Sequence, residues 1–171
     1  GDVYKRQLFA CLGLISAASA ICAVTTRQIV HAALWLTVCL ATLSGCYLVL
    51  GAELVALVQL LVYVGAVVVL VLFAVMLTRA PIGRSGDHDA PIMTRMAALV
   101  IAAATGGLLF SAFVSAFGTR RARIDSGTTT DLAQNLFGRF AWPFEVVSLV
   151  LLAALVGALA MIGSRRSGGG R

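Results

Sequence analysis

Charge is what this sequence has least of. Lys, Arg, Asp and Glu make up 12% of its 171 residues, and only seven positions are acidic. A soluble domain carries about 25% charged residues. So few charges exclude a disordered chain, which stays unfolded because it is charged and polar. The four cysteines never form C-x-x-C and are spread through apolar runs, which excludes a disulfide-stapled secreted module. No glycine-rich phosphate loop, nucleophile elbow or H-E-x-x-H occurs, so nothing marks the chain alone as an enzyme. No segment alternates with period two, which argues against outer-membrane barrel strands.

What is present is apolar surface. Hydrophobic residues account for 60% of the chain and the mean hydropathy is +0.99. One soluble core of this size would not hide that much apolar surface, so the main solvent is a bilayer. Five stretches lack Asp, Glu, Lys and Arg: 7–26, 28–52, 54–78, 96–119 and 146–164, the last led in by Phe140 to Phe144. Each can supply the ~20 residues of a spanning helix. Backbone groups in lipid need internal partners, which leaves helices. The expected fold is all-α, a polytopic membrane protein with five transmembrane helices at roughly 8–25, 29–50, 54–78, 94–117 and 142–163.

The connections differ. Residues 25–31 allow only a tight hairpin, and Gly51-Ala52 an even tighter turn into the third helix. Residues 78–94, with Pro81, Gly83, Gly86 and Pro91, read as a solvated loop. The longest connection, 119–139, opens with Arg120, Arg121 and Arg123. Residues 1–7 do not lead naturally into a helix and read as a non-native leader, leaving 8–163 as the membrane domain and 164–171 as a disordered basic tail. The net charge of +6 sits between apolar runs, where membrane topology places it, and does not argue for nucleic acid. Without the leader, the basic residues favour a cytoplasmic C-terminus.

Few residues are candidates for chemistry. The cysteines read as small packing residues. His31 reads as an interfacial anchor, and His88 between Asp87 and Asp89 as part of a polar loop rather than a metal site. Glu53 begins the third helix and Glu145 lies near the start of the fifth. Each is either a helix-terminal carboxylate facing the dipole or one that handles protons or pairs with a partner. In the third helix, Gln59, Tyr63, Ala66 and Leu70 share a face at about 100° per residue. Gln59 and Tyr63 bring two hydrogen-bonding groups to membrane depth. Gly65 and the β-branched run Val67-Val68-Val69 weaken helix preference. Two readings stay open: an ordinary packed helix, or one that takes an extra residue into a π-bulge. Gly13 and Ala17, Gly106-Gly107, and Ala153 and Gly157 are candidate close-packing sites.

These residues carry a resemblance. Leu61-Val62-Tyr63-Val64-Gly65-Ala66, followed by Val69 through Leu77, resembles the third helix of the J subunit of bacterial NADH-quinone oxidoreductase, respiratory complex I, the counterpart of mitochondrial subunit 6. Leu50-Gly51-Ala52-Glu53, His31-Ala32-Ala33-Leu34, Leu136-Phe137-Gly138 and Pro143-Phe144-Glu145-Val146-Val147-Ser148 are similar to that family too. The resemblance implies a non-catalytic membrane-arm subunit of the bacterial inner membrane with its C-terminus in the cytoplasm. It implies no cofactor in this chain, with FMN, iron–sulfur clusters and quinone held by other subunits, and packing against subunits A, H and K. It also implies a third helix that changes between π-bulged and regular states. Tyr63 and Gly65 match the bulge region, and Glu53 and Glu145 match positions often acidic. With Gln59, these are the expected proton-path residues. The short tail and the Thr- and Arg-rich 119–139 connection depart from the family pattern. A small transporter or an ion-antiporter accessory subunit is the competing function, but five spans do not divide into an inverted repeat.

Overall fold

The computed structural model describes residues 2–78, 91–118 and 127–167, with side chains through residue 164. Among them are helices and turns and no strand. The elements are α1 (Asp2–Thr25), α2 (Ile29–Val49), α3 (Glu53–Val58), a π-helical segment π1 (Gln59–Val67), α4 (Val68–Leu77), α5 (Ile92–Phe117), α6 (Thr129–Gln134), a second π segment π2 (Asn135–Arg139) and α7 (Ala141–Ser167). The third span is therefore α3, π1 and α4 in one continuous rod. Five helices are long and apolar enough to cross a membrane: Asp2–Thr25, Ile29–Val49, Glu53–Leu77, Ile92–Phe117 and Ala141–Ser164. The polytopic all-α expectation holds, with boundaries within two residues of those expected except at the first helix.

That first helix begins at Asp2, not at residue 8. Residues 2–7 hold neither glycine nor proline, and an acid in the first turn meets the positive end of the dipole. Nothing local stops the helix there. The last helix reaches Ser167, and 168–171, the end of the expected tail, lie outside the described residues. So do Pro81, Gly83, Gly86, His88 with its two aspartates, and Arg120, Arg121 and Arg123.

The chain divides into two compact units, Gly1–Asp125 and Ser126–Arg171. In the first, α1 packs along α2, and α2 packs along the whole third span. The α2–α3 turn is a Schellman cap. Gly51, at φ 80°, donates to Leu48 O at 3.0 Å, and Ala52 donates to Tyr47 O at 3.0 Å. Glycine enters that left-handed conformation without a Cβ penalty, and α3 starts two residues later, so α2 and the third span lie antiparallel.

The seam is built from small and polar residues. Among the described residues Ser19, Ala33, Ser44, Cys46, Ala56, Gln59 and Val68 are the buried ones, while most of the bulky Leu, Ile, Val and Phe side chains are exposed. The close approach falls at Gly45, where a Cβ would stand 3.2 Å from Leu12 Cδ1. A Cβ at Gly13, Gly106, Gly107 or Gly157 would meet nothing within 4 Å. The packing expected of those glycines is thus not made among the described residues. All four cysteines are free. No described residue of α5 is buried.

The second unit was only partly foreseen, because 129–139 reads as connection in the sequence. Thr128 caps α6: its hydroxyl accepts from Asp131 N at 3.2 Å, and the Asp131 carboxylate accepts from Thr128 N at 3.0 Å. This is a capping box, and Thr-x-x-Asp is its sequence signature. After π2 the chain turns at Phe140 into α7, with Phe137 and Phe144 packed edge to face at 5.3 Å. Pro143 sits in the first turn of α7, where no N–H is required of it.

Candidate functional site in the third span

Four of the five expected residues lie on the third span. Glu53 occupies the first turn of α3 and is exposed. Gln59 opens π1 and is 7% exposed, a buried amide facing α2. Tyr63 lies at the centre of π1 with half its surface exposed. Gly65 follows on the outward side, where a Cβ would stand 3.5 Å from Leu60 O in ordinary contact. Glu145 lies in the second unit, exposed, five residues into α7. That is beyond the first turn, so the helix-terminal reading does not suit it.

Of the two readings left open for this segment, the structure takes the π-helical one. The ladder through Gln59–Val67 closes i→i+5, ending with Val68 N donating to Tyr63 O. Gly65 and the valines weaken the regular alternative. The expected shared face is not seen, and the register alone does not account for it, since four residues make close to one turn in either kind of helix. Gln59 is buried and Tyr63 faces outward.

A cross-helix hydrogen bond lies where the widening begins. Gln59 N–H divides between the carbonyls of Val55 and Ala56. Ala56 O also accepts a 2.7 Å hydrogen bond from Ser44 Oγ, across from α2. Sequence reading missed Ser44, and no local signal marks it, because its role depends on how α2 and α3 face each other.

Among the described residues no group of three His, Cys, Asp or Glu could hold a metal ion. His31 lies at the α1–α2 turn beside Thr26, Arg27, Gln28 and Trp35, exposed as an interfacial anchor would be.

Five spanning helices, the third carrying a π-helical segment at its middle, define a polytopic integral membrane protein. The comparisons with known proteins say which. The profile of the family described as NADH-ubiquinone/plastoquinone oxidoreductase chain 6 matches residues 19–161, and the chain belongs to that family. It is 33% identical to F(420)H(2) dehydrogenase subunit J of Methanosarcina mazei, over 94% of this chain and 92% of that one. It is 33% identical to NADH-quinone oxidoreductase subunit J of Rhodobacter capsulatus, over 92% and 79%. It is 32% identical to NADH-quinone oxidoreductase subunit 10 of Thermus thermophilus, over 84% and 81%. The resemblance carried by Leu61 through Ala66 is borne out. The chain is a membrane subunit of an oxidoreductase complex, and other subunits of that complex are its partners.

Proposed function

We propose that this chain couples quinone reduction to proton translocation in a bacterial inner-membrane NADH-quinone oxidoreductase, through a third span that changes between π and α registers. The observation carrying this reading is the π-helical ladder over Gln59–Val67. π segments are rare and cluster at functional positions. Their extra residue makes a second, regular register available to the same sequence, which is the bistable element a coupling role requires. Quinone reduction elsewhere in the complex biases that element. Its change of register opens or closes a polar path past Gln59 and Tyr63, with Glu53 as the carboxylate at its margin; Glu145, in the second unit, is a separate candidate for proton handling.

The chain holds no cofactor in this reading; FMN, iron–sulfur clusters and quinone are bound by other subunits, with A, H and K as its direct neighbours. Its C-terminus is cytoplasmic. The names of the relatives carry different electron donors, F(420)H(2) in Methanosarcina mazei and NADH in Rhodobacter capsulatus. A subunit without a donor site suits both.

The test begins with a tagged pulldown from gently solubilised membranes. The chain is expected in a large particle that oxidises NADH and shows flavin and iron–sulfur absorbance. In that particle, Gly65→Leu should leave NADH oxidation by an artificial acceptor intact and reduce proton pumping. Normal pumping by a Tyr63→Phe, Gly65→Ala double variant would leave the chain a scaffold without a gate.

A further inference from the structure

Most hydroxyls in these spans donate to their own helix. Ser19 donates to Ile15 O at 2.7 Å, Thr37 to Ala33 O at 2.8 Å, and Ser148 to Phe144 O at 3.1 Å. Such back-bonding is what a serine or threonine does when nothing else is in reach. Ser44 differs. It is 5% exposed, and its hydroxyl crosses to the backbone of another helix at 2.7 Å. Ser16 also crosses, to Cys39 O, but at 3.4 Å. The acceptor of Ser44, the carbonyl of Ala56, belongs to the last α turn before the ladder widens.

The second π segment repeats the arrangement. Asn135, the first residue of π2, divides its N–H between the carbonyls of Asp131 and Leu132. Asp131 O also accepts from Asn135 Nδ2 at 2.9 Å, and Phe140 N then donates i→i−5 to Asn135 O at 2.9 Å. In π1 the divided N–H is that of Gln59, and the side-chain donor comes from α2 instead. Both π segments among the described residues therefore begin where a side-chain donor shares a carbonyl with a divided backbone N–H. A carbonyl has two lone pairs. A side-chain donor alone does not widen a ladder, since Ile15 O, Ala33 O and Phe144 O accept one inside regular α-helix; here the same carbonyl also takes a divided N–H, and the next bonds close one residue later.

We propose that Ser44 is a positioning residue: it pins the Ala56 carbonyl to α2 and thereby sets the point at which the third span leaves α register. The segment before that point stays seated on α2, and any change of register is confined to the residues after it. This rests on the coupling reading for its consequence in pumping, but not for its effect on structure.

The test compares assembled complexes carrying wild-type, Ser44→Ala and Ser44→Thr chains, by cryo-electron microscopy of the third span and by proton pumping per NADH oxidised. In wild type and Ser44→Thr, which keeps the hydroxyl, π register should begin at Gln59. In Ser44→Ala the odds of a start at Gln59 should fall about threefold, as for loss of one interhelical hydrogen bond in a bilayer. A start at Gln59 unchanged in Ser44→Ala overturns the proposal whatever pumping does. A displaced start with normal pumping leaves the pin standing and removes the coupling reading. A displaced start with reduced pumping supports both. Should Ser44→Ala fail to assemble, Ser44→Cys, a weak donor of similar size, reads the same boundary.

Discussion

Gln59 and Val68 are buried against the same helix although nine residues separate them. At 3.6 residues per turn, nine residues make about two and a half turns, which would set the two side chains on opposite sides of the rod. The i→i+5 turns between them bring Val68 back to the α2 side. The π register and the seam with α2 are therefore one feature: a regular third helix would keep either Gln59 or Val68 on α2, not both.

Deleting Val64 removes the extra residue. Eight residues at α spacing end within about a quarter turn of the same side, so both contacts can persist in a regular helix. The complex should assemble and oxidise NADH with an artificial acceptor at the wild-type rate, while pumping into proteoliposomes is lost. Retained pumping by this variant would sink the coupling role of π1.

Gly65→Ala acts through conformation. A Cβ there is in ordinary contact with Leu60 O, so no clash intervenes within the chain. Alanine favours helix over coil relative to glycine by about 1 kcal/mol, so the π-to-α ratio should move toward α by at most about fivefold. The measurement is the fraction of particles in each register by cryo-electron microscopy. An unchanged fraction would mean that neighbouring subunits, and not local propensity, set the register.

Gly45 should tolerate alanine better than valine. The Cβ of an alanine would press the flexible end of Leu12 at 3.2 Å, which moves by a few tenths of an ångström. Valine adds methyl groups where α1 and α2 meet, and overpacking of this kind costs about 1–3 kcal/mol. Thermal ramping of the purified complex should show earlier release of this subunit for Gly45→Val than for Gly45→Ala. Identical release temperatures would count against the Leu12–Gly45 contact.

The α6 cap should fail only in acid. The Thr128 hydroxyl and backbone N–H both hydrogen-bond the Asp131 carboxylate and hold its pKa below the ordinary carboxylate range. A lowered folded pKa adds stability above the unfolded value and loses it as the pH falls through the folded one. Amide exchange across 128–135 should therefore stay slow at neutral pH and quicken only below the usual carboxylate range. Thr128→Ala should raise the pH of that change. The same midpoint in the variant would separate the shift from the hydroxyl.

The five spans and the Gly51 turn were legible because length, hydropathy and a single glycine decide them. The place of π1 was legible from Gly65, the valine run and the family resemblance. Which way its side chains face was not: that Gln59 is buried and Tyr63 exposed depends on how the third span meets α2, which lies outside any local pattern. Ser44 was invisible for a related reason, since its acceptor lies across a helix–helix seam. Thr128-x-x-Asp131 was legible and passed over, because 119–139 reads as connection by its glycines and threonines. Asp2 shows the reverse: an unusual leader composition does not prevent a helix when neither glycine nor proline interrupts it.

The interior of the first unit is made of serine, alanine, cysteine, one amide and one valine, with most of the bulky side chains outside. A newly inserted copy thus has little to tell it apart from a misassembled one until its neighbours arrive. Its lifetime in the cell becomes a count of available partners: copies beyond the supply of the other subunits should be cleared by membrane proteolysis, and its abundance should follow theirs.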